Sequence, residues 1–427
     1  ALRFPDFRLL IVSTFLAGLA MAILSVVIGW ELYLRTHSAF ALGLVGLVQI
    51  VPNVVMSIPA GQYVDRHDQK KIMTAATALN AAAASGLALL AWFDGPLVLI
   101  YACLFLIGVG RCFRSPTQSV LLASVLPPER FANASAWSSS AGQLASVCGP
   151  AVGGLGAAIF ADEAPVFGAA AFMLAVAAVL VSRLHPREIE RSREKMTVDS
   201  LLAGIRFIRK TKVLLAAITL DMVAVLLGGA TALLPIFAED VLHVGATGLG
   251  LMRAAPAAGA VLMSFALAHK GPFDHAGPSL LATVAAFGCA TILFGASRSI
   301  VLSLGALALL GAFDAISVVI RDTLELTFTP DHMRGRVGAI GYIFVGMSNE
   351  FGEFESGVAA ALLGATAAVI VGGIGPLIVV PLIAFAWPEV RRLGRIVPVV
   401  VVEPEPISAG WESDGRLLRE EVPPASG

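Results

Sequence analysis

Apolar stretches of about 20 residues, separated by short polar turns, run through most of the chain. A helix of that length crosses about 30 Å of hydrocarbon. Inside a bilayer each backbone N–H and C=O must be satisfied within its own segment, so lipid-embedded stretches of this kind form helices. Composition agrees, since 57% of the 427 residues are hydrophobic and 14% are charged, against about 25% charged in soluble domains. Twelve spans are expected, near 9–34, 40–64, 71–92, 96–120, 131–160, 164–184, 213–238, 244–269, 276–296, 299–327, 335–363 and 365–388. The predicted class is an all-α membrane protein.

One connection is long. Residues 185–212 are polar and basic, and Val198, Leu201, Leu202, Ile205 and Ile208 recur there at helical spacing beside Arg206, Arg209 and Lys210. That pattern predicts an amphipathic helix lying on the membrane surface. The expected organisation is a six-helix bundle over 1–184, a cytoplasmic linker over 185–212, a second six-helix bundle over 213–388 and a cytoplasmic tail over 389–427. Val399–Val402 in that tail could pair as a strand. The halves share short matches in the same order: Leu42–Leu44 with Leu249–Leu251, Met56–Ser57 with Met263–Ser264, Pro127 with Pro330, Gly149 with Gly352, and Gly154 with Gly357. Parallel six-helix repeats are one known way of building a transporter.

Basic residues set the expected orientation. With both termini in the cytoplasm, roughly 23 of the 29 Lys and Arg fall in the ends and inner connections, as the positive-inside rule requires. The outer loops carry only Arg35 and Arg298. No cleavable signal segment is expected. A net charge of −1 argues against a nucleic-acid partner. Cys103, Cys112, Cys148 and Cys289 lie in apolar segments at unrelated spacings, which fits neither a disulfide framework nor a metal set. A phosphate-binding G-x-x-x-x-G-K-[ST], an H-E-x-x-H and a serine nucleophile elbow are all missing, so enzymatic chemistry, a cofactor and a metal are not expected.

Two stretches carry more specific information. "GQYVDRHDQKK", Gly61–Lys71, packs Asp65, Arg66, Asp68, Lys70 and Lys71 into the short connection between the second and third spans. Positive charge alone could anchor that end of the helices. The stretch also resembles the signature loop of the major facilitator superfamily: Gly61 matches the leading glycine, Asp65 and Arg66 the acid–base pair, Lys70 and Lys71 the basic pair. The family usually places a second glycine where Asp68 stands. The resemblance implies a conformational latch in which Asp65 faces the positive N-terminal end of the eleventh helix near Gly335–Val337. "GQLASVCGPAVGG", Gly142–Gly154, resembles the fifth-helix motif of the superfamily's antiporters through Gly149, Pro150, Gly153 and Gly154. Ordinary close packing of membrane helices would use the same small residues. "IGWELYLRTHSAFALGLVGLVQIVPNVVMSIPAGQYVDR" and "TPDHMRGRVGAI" look like the enterobactin-exporter branch, close to macrolide-efflux-like proteins. This resemblance implies the twelve-helix major facilitator fold, an inner-membrane setting, and export of a siderophore or drug-like amphiphile.

Ionisable residues inside spans are costly and point to function. Glu31, Asp221, Glu350 and Glu353 are the candidate proton or cation carriers, the last two sharing a helix face at i,i+3 spacing. Asp221 and Arg253 are the expected partners of these glutamates. Arg111, Arg114, Arg253 and Asp314 are candidate cavity charges, and the repeat offset makes an Arg111–Asp314 pair across the cavity one reading. Arg111 and Arg114 could instead snorkel to water from the ends of their helix. The expected function is secondary active export of a small molecule in exchange for protons, by a monomer in the lipid bilayer. An importer, an uncoupled facilitator, or a non-transporting receptor or scaffold of the same fold would share this pattern.

Overall fold

The computed structural model describes residues 1–127, 130–160, 162–187, 198–270 and 273–395. The first six long helices are Pro5–Thr36, Ala39–Arg66, Gln69–Trp92, Leu97–Ser124, Phe131–Ile159 and Ala164–Ser182. Helix Val198–Lys210 follows, then Lys212–Leu227, Gly245–Lys270, Ala276–Ala296, Ile300–Phe328, Asp331–Leu363 and Ala365–Ala386. Among the described residues, eleven segments are long and apolar enough to cross a membrane. The remaining long helix, Asp331–Leu363, carries Glu350, Glu353 and Glu355 in its C-terminal half. Numbered in chain order as spans, these give the expected twelve.

Local chemistry ends and restarts the helices. Ser38 caps the second span by accepting from the Ala41 N–H at 3.4 Å, and Pro stands in the first turn of the first and sixth. Gly364 alone connects the eleventh and twelfth spans, at φ 84°, a left-handed conformation that favours glycine. The seventh span departs from the continuous helix expected over 213–238. It stops at Leu227, passes Gly228 and Gly229, and continues as a 3₁₀ turn Ala230–Leu233, a turn Leu234–Ile236 and a π turn Phe237–Val241. The break coincides with a close approach of two backbones. Gly229 lies against Gly352 of the eleventh span, where a Cβ would come within 2.6 Å of the Gly352 carbonyl.

Packing repeats between the halves. The third span lies along the sixth as the ninth lies along the twelfth, and the second along the fourth as the eighth along the tenth. Between halves, the second span packs on the eleventh and the fifth on the eighth. Gly43 meets Gly357 in the first of these contacts, and Gly154 meets Gly250 in the second. Gly43 and Gly250 are matched in the two repeats, as are Gly154 and Gly357. One contact is therefore the other with the halves exchanged.

The core is lopsided. One cluster draws on both halves, from Ile23, Leu32 and Phe167 to Phe237, Leu249 and Val369. It lies toward the end that holds the 36–39, 159–164, 241–245 and 363–365 connections. Toward the opposite end the cores are separate: Phe7, Leu121 and Leu184 in the first half, Leu214, Leu280 and Ile383 in the second. The molecule is closed at one end and divided at the other. Helix Val198–Lys210 does not simply lie on lipid: Ile205 and Ile208 pack on Met333, Val337 and Ile340 of the eleventh span. An apolar stripe is satisfied as well by protein as by hydrocarbon. After the twelfth span, Leu393 and Gly394 accept from the Gly277 and Ala276 N–H groups at 3.2 and 3.3 Å, closing the start of the ninth. Val399–Val402 lie outside the described residues.

Candidate functional site

Between the halves, the wall of the first bundle carries a cavity of about 500 Å³. Spans one, two, three and four supply Ser25, Gln49, Asn80, Arg111, Arg114, Ser115 and Gln118, set among Met21, Leu104 and Ile107. Arg111 reaches across to the second half, where its guanidinium donates to Glu350 Oε1 at 2.5 Å. Asn53 Nδ2 of the second span donates to Glu350 Oε2 at 3.3 Å. The Glu350 side chain is 7% exposed and that of Arg111 is 48% exposed. A buried carboxylate held by an ion pair and an amide is a satisfied charge at the seam of the two halves. Asp314 is not the partner of Arg111: Glu350 takes that place because the eleventh span, packed on the second, presents it there.

The second bundle carries its own cavities. One of about 520 Å³ is lined by Asp221, Arg321, Asp322, Glu325 and Ser348. Asp221 pairs with Arg321 of the tenth span, and not with the glutamates of the eleventh as expected. Another, of about 280 Å³, opens at the break in the seventh span and is lined by Gly228, Gly229, Thr231, Asp314, Asn349 and Glu353. Glu353 faces the charge of Arg253, whose Nε has no hydrogen-bond partner among the described residues. Glu350 and Glu353, one turn apart, are thus drawn to different cations: one to the first half, the other to the eighth span.

Glu31 lies elsewhere. It sits toward the closed end, 2.5 Å from Arg35, and Arg35 donates onward to the Gly95 carbonyl at 3.0 Å. Glu163, in the turn before the sixth span, shares a hydrogen bond with Glu31. Burial first, and then that carboxyl neighbour, push the Glu163 pKa up to about 7. Nearby Tyr33 donates to Asp240 across the halves. Asn53, Asn80, Tyr33, Asp240 and Glu163 were not singled out from the sequence. The two asparagines carried a usable signal, being amides in otherwise apolar spans. The pairing of Tyr33 with Asp240 carried none, as they lie 207 residues apart.

The charged turn is shorter than its sequence suggests. Helix continues through Arg66 and restarts at Gln69, with Asp68 as N-cap, its Oδ1 accepting from the Lys71 N–H at 3.2 Å. Asp68, where the family has glycine, therefore starts a helix. A Cβ on Gly61 would meet nothing within 4 Å. The Lys71 side chain is 84% exposed. The side chain of Asp65 lies outside what the structure describes, and with it the latch contact expected near Gly335–Val337. In the fifth span, Gly149 and Gly153 lie against Ala22 and Ile23 of the first span, and Gly154 against Gly250 of the eighth. Pro150, inside the helix, brings its carbonyl to Gly250.

Two bundles fused at one end and parted around polar, charge-lined cavities define a membrane carrier. The chain belongs to the major facilitator superfamily, whose family model matches residues 10–353. It is 26% identical over 407 residues to "Enterobactin exporter EntS" of Shigella boydii serotype 18, covering 93% of this chain and 95% of the relative. The same holds for the protein of that name from Escherichia coli O139:H28. Solved structures share the fold. A bacterial homolog to the human lysosomal transporter Spinster, inward-facing and unoccupied, superposes with TM-score 0.71 at 14% identity over 90% of this chain and 98% of that one. A POT family transporter in complex with 5-aminolevulinic acid gives TM-score 0.70 at 13% identity over 91% and 97%. The chain is a multi-pass membrane transporter and not an enzyme.

Proposed function

We propose that this transporter exports a small amphiphilic molecule from the cytoplasm by alternating access, in exchange for protons. The cross-bundle ion pair of Arg111 and Glu350 carries the proposal. A carboxylate in such a seam holds the halves together while ionised and releases them when protonated. Proton binding from the far side would free the first half to rock, and proton loss on the near side would restore the pair. Glu353, facing Arg253, is the second carrier in this reading. The moving units are the bundles 1–184 and 213–388, and the protein acts as a monomer in the bacterial inner membrane. Enterobactin, named for the relatives, is the first substrate to try.

The test is proton movement in reconstituted vesicles. Glu350→Gln with Glu353→Gln should reduce substrate-driven proton flux about tenfold or more while leaving substrate binding detectable. Normal flux and uphill accumulation in the double variant would remove both glutamates from the mechanism. Orientation is tested separately. The skew of basic residues puts the divided end in the cytoplasm, so a cysteine replacing His185 should resist an impermeant thiol reagent added outside intact cells. Prompt labelling would invert the topology.

A further inference from the structure

The first bundle's cavity holds more positive charge than the structure uses. Arg111 is neutralised by Glu350. Arg114, three residues on and on the same helix face, lines the same cavity and makes no hydrogen bond or ion pair among the described residues. A second, independent group is also idle. Asn80 of the third span is 0% exposed, borders that cavity, and has neither amide atom hydrogen-bonded among the described residues. The fourth span makes room for it. Gly110 lies against the amide, and a Cβ there would stand 2.8 Å from Asn80 Cγ and 3.0 Å from the Ala76 carbonyl.

We propose that Arg114 and Asn80 form an oxyanion subsite, which takes a carboxylate-type group flanked by a hydroxyl or N–H on the transported molecule. The guanidinium fork matches two oxygens of a planar anion. An amide supplies both a donor and an acceptor, so it serves an oxyanion and an adjacent hydroxyl together. A cation would be repelled by Arg114, and a neutral body alone would leave the guanidinium unpaired in a half-buried wall. The apolar part of the ligand has Leu104 and Ile107 to lie against. The inference rests on the transport reading for its role, since the same cavity is where substrate would sit. Binding itself can be measured without transport.

The probes are mandelate, an aromatic carboxylate with an adjacent hydroxyl, its neutral amide mandelamide, and phenylacetate, which lacks the hydroxyl. Each is titrated against the full chain in nanodiscs by calorimetry. Mandelate is expected to bind, phenylacetate several-fold more weakly, and mandelamide at least tenfold more weakly. Arg114→Gln should weaken mandelate at least tenfold, and Arg114→Lys less. Asn80→Ala should erase the preference for mandelate over phenylacetate. Equal binding of mandelate and mandelamide by the unaltered protein, or no binding of mandelate, overturns the subsite. So does full-strength binding in Arg114→Gln. Should that variant not fold, wild-type selectivity and Arg114→Lys still decide. Binding as expected with no proton-driven export of mandelate from vesicles would leave the subsite standing and count against the export reading of this cavity instead.

Discussion

Where the halves meet, Gly43 lies on Gly357 and Gly154 on Gly250, and one apolar core runs through both bundles. Where they part, each bundle keeps its own core and its own charge-lined cavity, with Arg111 and Arg114 in the first half and Asp221, Arg321, Asp322 and Glu325 in the second. The first region gains its cohesion from backbones in close approach, which small residues allow. The second holds charges that would cost several kcal/mol each without water or partners, and Arg111 with Glu350 and Asp221 with Arg321 meet that cost by pairing. A carrier needs one of each at a time. The closed end is therefore held by packing that a single side chain can spoil, while among the charges the ion pair of Arg111 with Glu350 crosses the halves.

The largest effect should come from the glycine contact. Gly154→Leu places a side chain where Gly250 and the Ala246 carbonyl now stand. Overpacking of this kind costs about 1–3 kcal/mol, and here the cost falls on one state only. Spin labels at Ile159 and His243, both exposed, should report the closed end opening, with transport reduced about tenfold. Unchanged distances would mean the contact bears no strain.

A smaller effect is expected from Tyr33→Phe. It removes the hydrogen bond to Asp240 that crosses the halves, worth about 1 kcal/mol. The same label pair should show the open population rising several-fold, with packing otherwise preserved. If the population does not move, apolar packing alone closes this end.

The smallest effect concerns Glu163. Its pKa, raised to about 7 by burial and by the Glu31 carboxyl, lies above the ordinary glutamate value of about 4.3. The folded state then binds the extra proton between those values. Stability is fully present below the lower value and is lost as pH rises through about 7. Discounted for partial exposure, this is about 1 kcal/mol, or about 1 °C of Tm for a chain of this length. Wild-type Tm should fall from pH 5 to pH 8, and Glu163→Gln should flatten that slope. An equal slope in both would assign the pH dependence to another group.

The helices were legible from the chain alone. Apolar length, caps and glycine–proline punctuation are local, and bilayer physics permits one answer for a 20-residue apolar run. The spans therefore fell within a few residues of their expected places, and the repeat matches at Gly43, Gly154, Gly250 and Gly357 proved to be the contacts between halves. The class of Glu350 and Arg111 as charges inside spans was legible for the same reason, since such residues stand out against apolar neighbours. Their partners were not. Whether Arg111 meets Asp314 or Glu350, whether Asp221 meets Arg321 or a glutamate, and whether the seventh span runs on past Gly228 all depend on which helix packs beside which. Side chains hundreds of residues apart acquire neighbours only when the bundles close on each other, and that choice belongs to the tertiary structure.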